Sequence, residues 1–215
     1  MRIPAWGPEY QIQELGIGKG KKGRINLTLG DEKYSFRPKE IGISILGTVE
    51  AFNSNPQFAD YATVEPIYQG TLELLDALAE LEVPNLYIVK YANIDKGQDL
   101  VGDLKEYEEG AKVYLSKCTN PTIDTEIIKD LKDVKALFVT GLQGHTNIMQ
   151  FVNALKSQKE SGRIGLEQLF LPDSCVGIVN KLENYDELNF WSKNYMSTNS
   201  DAKIVDVYRG ETKIT

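Results

Sequence analysis

The feature that most constrains the fold is an alternation of short apolar runs with segments of helical periodicity. The run IGISILGT (41–48) is typical of a strand that is buried on both faces. The segment after it places apolar side chains on one helical face between Ile67 and Leu81, and Pro84 ends that pattern. The apolar run NLYIVKY (85–91) comes next. A strand, a helix and a strand in this order predict a right-handed βαβ unit with parallel strands.

The same alternation continues to the end of the chain. Further strands are predicted at 111–116, 134–141, 166–172 and 202–210, and further helices at 122–132, 148–160 and 184–196. We therefore predict an α/β fold, with an open, mostly parallel Rossmann-like sheet and helices on both faces. This core domain is expected to span residues 41–215.

The helix predicted at 148–160 has sequence signals at both ends. Asn147 precedes it as a candidate N-cap, and Gln150 stands three residues later, as in a capping box. Gly162 is positioned where a helix would end. The pattern therefore predicts a helix that starts directly after Asn147.

The first forty residues have a different character and are predicted to form an extended, β-rich arm or hairpin. Apolar residues alternate with polar ones over 25–29 and again over 34–36. The sequence Gly30-Asp31-Glu32 between them is typical of a tight hairpin turn. We therefore divide the chain into an arm at 1–40 and the core.

Composition excludes several classes of protein. The chain has 215 residues, of which 41% are hydrophobic and 26% charged, as in ordinary globular proteins. No stretch approaches the roughly 20 apolar residues that span a bilayer, and the start has no apolar core of the signal-peptide kind. Cys118 and Cys175 stand apart without a CxxC motif, so we expect two free thiols and neither a zinc site nor a cofactor.

Charge is distributed unevenly along the chain. Residues 1–40 carry eight basic and five acidic residues, an excess of three positive charges, whereas the whole chain has a net charge of −7. The remainder therefore carries −10. An acidic body argues against nucleic acid as the main partner. A basic arm on an acidic body suits docking onto a neighbouring copy.

The chain's only histidine, His145, lies at the junction of a predicted strand and a predicted helix in FVTGLQGHTN (138–147). That position is where ligands bind in open α/β sheets, and Gly141 and Gly144 could leave backbone N–H groups free to face an anion. However, GLQGHTN is not a GxGxxG motif, and any tight connection from strand to helix would use such residues. We therefore expect His145 to lie in a structural turn.

Two other segments resemble functional motifs without matching them. The loop GIGKGKKG (16–23) is rich in glycine and lysine, but it lacks the spacing of a P-loop and precedes a strand. Asp173 and Ser174 follow a strand, but no GxSxG motif surrounds Ser174. With no catalytic constellation in the sequence, we expect that the chain is not an enzyme.

Read in order, the chain resembles the contractile tail sheath family of phages and phage-like injection machines. IGISILGTVEAFNSNPQF resembles the strand and loop that open the sheath core domain, and residues 70–92 resemble the helix and strand after it. Residues 134–174 and 186–208 resemble later helices and strands of that family. The chain departs from the family pattern in two places. It ends where members continue into a second arm, and 53–56 lack the family's glycine.

The resemblance implies a structural subunit that assembles into rings or a helical tube. An extended arm would add strands to a neighbour's sheet. An inner tube protein would be a further partner, and nucleic acid and membrane would not. The protein would be cytoplasmic when synthesised and would lie in the tail of a virion or injection machine when assembled. The arm residues expected to make these contacts are Tyr10, Ile12, Leu15, Lys19, Lys21, Lys22, Arg24, Ile25 and Leu27.

Two alternatives remain open at this point. One is a soluble α/β enzyme or sensor that binds a nucleotide or another small molecule at the carboxyl ends of the strands. Its ligand-binding residues would be Gly47, Thr48, Gly141, Gly144, His145, Asn147 and Asp173. The other is a monomeric adaptor at the end of a tail or tube, which would bind a partner without polymerising.

Overall fold

The computed structural model describes residues 10–47, 61–91, 107, 110–116, 125–142, 147–177 and 185–214. The strands are β1 (Gln13–Lys19), β2 (Ile25–Leu29), β3 (Glu32–Phe36), β4 (Ile41–Leu46), β5 (Asn85–Tyr91), β6 (Ala111–Ser116), β7 (Ala136–Leu142), β8 (Gln168–Pro172), β9 (Val176–Gly177), β10 (Lys203–Arg209) and β11 (Thr212–Lys213). The helices are α1 (Tyr61–Glu80), α2 (Thr125–Asp130), α3 (Met149–Glu160) and α4 (Tyr185–Asn199).

These strands form one sheet in the order β3-β2-β1-β10-β8-β7-β4-β5-β6, with β11 paired to β10 and β9 paired to β7. Seven neighbouring strands in this order are parallel to one another, namely β1, β10, β8, β7, β4, β5 and β6. The prediction of an α/β fold with a mostly parallel sheet is confirmed. The predicted βαβ unit is also present, because β4 and β5 pair in parallel from Gly42 opposite Asn85 to Leu46 opposite Val89.

Helices cover both faces of the sheet, as predicted. One buried cluster joins Leu74 and Leu78 of α1 to sheet residues such as Ile43 and Phe138. The cluster on the opposite face contains Leu137 and residues of α2, α3 and α4. Burial of a single large apolar side chain contributes about 1.5 to 3 kcal/mol, so these two layers supply most of the driving force for folding.

The hairpin predicted near the N-terminus is present, and it is joined to the main sheet of its own chain. β2 and β3 are connected by Gly30 and Asp31, and Gly30 has a φ of 56°, which glycine adopts without strain. β1 pairs in parallel with β10, with Leu15 opposite Val207. Leu15 and Leu27 are 0% exposed. The described residues 13–36 belong to the same sheet as the rest of the chain. The division into an arm and a core at residue 40 stays a prediction.

The two ends of α3 differ in how well the sequence predicted them. The capping box at Asn147 is wrong: the N-cap is Ile148 in helical conformation, and no side chain caps the helix. Residues 147–148 instead form a wider π-type turn that leads into α3. The stop at Gly162 is confirmed, with a φ of 71° and its N–H bonded to the Lys159 carbonyl at 2.9 Å.

Candidate functional site

The strand order predicts a crevice at the carboxyl ends of β4 and β7. After β4 the chain builds β5 and β6 on one side, and then returns to build β7, β8 and β10 on the other. β4 and β7 are therefore the neighbours between which the direction of winding reverses. Connections after two such strands leave toward opposite faces, so a crevice opens between their carboxyl ends, and ligands of open α/β sheets bind there.

Two glycines mark the point where these strands end. Gly141 stands opposite Leu46 of β4 and has a φ of 123°. A Cβ atom added to Gly141 would lie 2.1 Å from the Leu46 carbonyl oxygen, so only glycine fits. Gly47 has a φ of 75°, and its N–H bonds the Val89 carbonyl of β5 at 3.0 Å. At Gly141 the main chains of β4 and β7 therefore approach each other too closely for a side chain.

Polar side chains are buried next to the same strand ends. Asn147, at the start of the turn into α3, is 1% exposed. Ser44 of β4 and Thr140 of β7 are 1% and 0% exposed. Their hydroxyl oxygens have no hydrogen-bond partner among the residues that the structure describes. A buried polar group without a partner costs stability, and a functional role is one reason for a protein to keep such a group.

A buried ion pair lies after β8, which neighbours β7. Lys193 of α4 has only 4% of its side chain exposed, and its Nζ is 2.6 Å from Asp173 Oδ1. The same Nζ donates to the Asp173 carbonyl oxygen at 3.1 Å. The Asp173 side chain is 27% exposed, so one end of the pair reaches solvent. An ammonium group buried to this degree requires its carboxylate partner.

The segment that precedes β1 packs beside this pair. The Tyr10 backbone N–H donates to Asn194 Oδ1 at 3.0 Å, and the Tyr10 ring lies 5.4 Å from the Phe190 ring. Burial, and then the negative charge of Asp173, raise the pKa of the Tyr10 hydroxyl to about 12. Tyr10 therefore stays protonated and can donate a hydrogen bond at neutral pH.

The residues that follow Asp173 do not form an activated nucleophile. Cys175 is 0% exposed, and burial raises the pKa of its thiol to about 12. The thiol is therefore protonated at neutral pH and unreactive. The Ser174 hydroxyl donates to the Ile214 carbonyl at 3.3 Å. Cys175 is a free thiol, as predicted, whereas Cys118 lies outside the described residues.

The structure brings several sequence-predicted ligand residues to one edge of the sheet. Gly47, Gly141, Asn147 and Asp173 all lie at or just after the carboxyl ends of parallel strands. Thr48, Gly144 and His145 lie outside the described residues. The sequence reasoning missed Lys193. The signal that could have indicated it is a lysine within the aromatic segment NFWSKNYM, where a charge has to be buried or paired.

The residues predicted for an assembly arm differ in how much of their side chains is exposed. Leu15, Ile25 and Leu27 are buried in the core of their own chain. Ile12 is 46% exposed, and the side chains of Lys19, Lys21 and Lys22 are exposed as well. Arg24 is partly buried and donates to Ser35 Oγ at 3.1 Å.

Two kinds of site are absent from the described part of the chain. None of its helices is both long and apolar enough to cross a membrane. No group of three or more His, Cys, Asp or Glu side chains is arranged there to hold a metal ion.

Comparison with known proteins identifies the fold. No protein-family model and no curated protein sequence matches the chain. A nicotinamidase from Staphylococcus aureus matches with a TM-score of 0.60 and 8% identity, over 81% of this chain and 99% of its own. The YcaC gene product of Escherichia coli, an octameric hydrolase of unknown specificity, matches with a TM-score of 0.58 and 16% identity, over 78% and 76%. The MAR1 ribonuclease of Caenorhabditis elegans matches with a TM-score of 0.58 and 15% identity, over 78% and 77%.

The chain has the fold of these hydrolases. This shared α/β fold overturns the resemblance to tail sheath proteins, and with it the predicted structural role in a virion or injection machine. The expectation that the chain is not an enzyme is overturned on the same ground, because the matching structures are enzymes. The octameric state of the YcaC protein agrees with the broader expectation of a homo-oligomer, but nothing supports an inner tube protein as partner. The predicted location in the tail of a virion or injection machine is overturned together with that resemblance.

Proposed function

We propose that this chain is an enzyme that hydrolyses a small molecule bound between the carboxyl ends of β4 and β7. The observation that carries the proposal is the reversal of winding at these two strands, in a fold shared with solved hydrolases. The positive φ values of Gly47 and Gly141 support it, since they put main chain in unusual conformations at the ends of these two strands.

Asn147 is the side chain that we assign to ligand binding. It follows β7 and is buried, and its carboxamide can both donate and accept a hydrogen bond. Such a group recognises an amide, an ester or a heterocyclic nitrogen by polarity and shape. Ligand pockets commonly combine a few polar groups of this kind with apolar walls.

A small amide is the substrate class to test first, because nicotinamidases are among the structures that share the fold. Hydrolysis of a primary amide breaks the C–N bond, adds water, and releases a carboxylic acid and ammonia. In the described residues neither Cys175 nor Ser174 suits attack on the carbonyl carbon. We therefore assign attack to water or to a side chain outside those residues, where Cys118 and His145 are the candidates.

The test measures ammonia release from nicotinamide and from a panel of small amides and esters, together with thermal shifts for each compound. Asn147→Leu keeps the branched shape and the number of side-chain heavy atoms and removes the carboxamide, and Asn199→Ala on the exposed end of α4 is the control. We expect kcat/KM to fall about tenfold or more in the first variant, as for loss of one hydrogen bond, and to stay within about twofold in the second. Melting temperatures of both variants show whether they are folded.

A second function, ligand binding without turnover, is supported by the protonated, inaccessible thiol of Cys175. A compound that raises the melting temperature of the wild-type protein and yields no product would favour that function. The absence of both binding and turnover across the panel, in protein shown to be folded, would contradict the proposal of a small-molecule site.

A further inference from the structure

We propose that the lysine loop of one copy, residues 19–24 between β1 and β2, docks onto the acidic face of α1 in a second copy of this chain. The acidic face is defined as Glu73, Asp76, Glu80 and Glu82. The inference concerns residues other than those assigned to ligand binding and does not depend on the proposed hydrolysis. It follows from two exposed surfaces of opposite charge that form no ion pair with each other among the described residues.

The lysine loop presents three positive charges without compensation. The side chains of Lys19, Lys21 and Lys22 are all exposed, and none of them forms an ion pair with any residue in the described ranges. Arg24, which ends the loop, is held by Ser35 of β3. Like charges this close together repel one another, so an acidic partner would stabilise the loop.

The loop has a fixed backbone. The Gly20 N–H bonds the Arg24 carbonyl at 2.7 Å, and a Cβ atom on Gly20 would lie 2.6 Å from Asn26 Oδ1. Lys22 has a φ of 57°, a left-handed conformation that residues with side chains rarely adopt. The turn is therefore defined before any partner binds, and less entropy is lost on docking than with a mobile loop.

The acidic face lies on a helix without basic residues. α1 carries Glu65, Glu73, Asp76 and Glu80 and has neither lysine nor arginine, and Glu82 follows it. All four members of the acidic face are exposed. Arg209 neutralises one of them, Glu80. Asp76 accepts a hydrogen bond from the Tyr107 hydroxyl, which leaves its negative charge in place.

A second copy fits both surfaces better than a nucleic acid does. The chain carries −7 overall, so a polyanion would be repelled by most of its surface. Two copies related by a twofold axis would each give a loop and receive one, so the contact would form twice. Exposed ion pairs are individually weak, so the association should be salt-sensitive.

Sedimentation velocity of the whole chain tests this inference at about 50 mM and about 500 mM salt. We expect wild-type protein to associate at low salt, with at least a roughly tenfold weaker association at high salt. The loop variant Lys19→Glu/Lys21→Glu/Lys22→Glu should not associate by this contact. The face variant Glu73→Lys/Asp76→Lys/Glu82→Lys should also fail, because its lysine loop now meets lysines.

Mixing the loop variant with the face variant is the decisive step. In the mixture a glutamate loop meets a lysine face and a lysine loop meets an acidic face, so association should return. The variant Lys33→Glu/Lys39→Glu/Lys132→Glu changes the net charge by the same amount at other exposed positions and should associate like wild type. Far-UV circular dichroism confirms that each variant is folded.

Four results would overturn the inference. The first is a wild-type protein that stays monomeric at low salt. The second is a control variant whose association is lost as completely as that of the loop variant. The third is a loop variant that associates normally but loses binding to a fluorescent single-stranded RNA, since that would assign the lysines to nucleic acid. An association that survives the changes in both surfaces would place the contact elsewhere on the chain.

Discussion

Replacement of Gly141 by alanine tests the close approach of β4 and β7 at the edge of the proposed site. The φ of 123° at Gly141 belongs to a region that alanine rarely occupies. The added Cβ would lie 2.1 Å from the Leu46 carbonyl oxygen and 2.9 Å from the Leu46 carbonyl carbon and amide nitrogen. All three atoms are main chain, so the clash cannot be relieved by a side-chain rotation. One of the two strands has to move by roughly 1 Å to restore an ordinary contact.

Two contributions determine the size of the effect. A side-chain-bearing residue in a strained backbone conformation costs about 1 to 3 kcal/mol. Overpacking against a fixed backbone costs about 1 to 3 kcal/mol more. We expect Gly141→Ala to lower the free energy of unfolding by about 4 kcal/mol, which is a large part of the roughly 5 to 15 kcal/mol that stabilises a typical protein. For a chain of this size the melting temperature should fall by about 8 to 16 °C.

Urea unfolding followed by circular dichroism measures this change, and Gly18→Ala is the matched control. Gly18 also lies within a strand, but a Cβ atom there would meet nothing within 4 Å. The control should therefore unfold within about 1 kcal/mol of wild type. If Gly141→Ala proves as stable as Gly18→Ala, the close approach of β4 and β7 is refuted.

Three further predictions follow from the ionisable groups. The hydrogen bond from Arg37 lowers the pKa of Glu40 from 4.5 to about 2, so stability present above pH 4.5 should be lost as the pH falls toward 2. Urea midpoints measured over that range should show a loss of about 1 to 3 kcal/mol that Glu40→Gln does not show. With Cys118 replaced by serine, Cys175 should react with a thiol reagent at about pH 8 only after unfolding, and rapid labelling of the native protein would contradict its burial. Asp173→Ala should cost about 3 kcal/mol in unfolding experiments, and more than Lys193→Met, because only the former leaves a buried charge unpaired.

The fold class could be predicted from the sequence because its signals are local. The apolar run at 41–46 and the helical periodicity up to Leu81 reflect which faces of each element are buried. The turn at Gly30 could be predicted for the same reason, because a two-residue hairpin connection favours glycine in a left-handed conformation.

The strand order could not be predicted, because it depends on contacts between distant segments. β1 pairs with β10, nearly 200 residues away in sequence, and nothing in GIGKG or VDVYRG specifies that pairing. The resemblance to sheath proteins failed for this reason. Its motifs were apolar strand and helix patterns, which unrelated α/β proteins share, and only the strand order separates such folds.

The candidate site was partly accessible from the sequence. The rule that ligands bind at the carboxyl ends of parallel strands singled out Gly47, Gly141 and Asp173, and the structure places them at that edge of the sheet. Their role in ligand binding stays a prediction. The role given to Asn147 as a helix cap was wrong, because the chain forms a wider turn there and buries the side chain. Lys193 was missed because its partner is 20 residues away and on a different element.

Chemical-shift mapping of backbone amides tests the central claim most directly, with nicotinamide and related small amides titrated into isotopically labelled protein. The account predicts that a bound compound perturbs the amide signals of Gly47, Gly141 and Asn147 more than those at the amino ends of the strands, such as Lys135. Perturbations confined to the amino ends, or saturating binding that leaves Gly141 and Asn147 unchanged, would contradict a small-molecule site between β4 and β7.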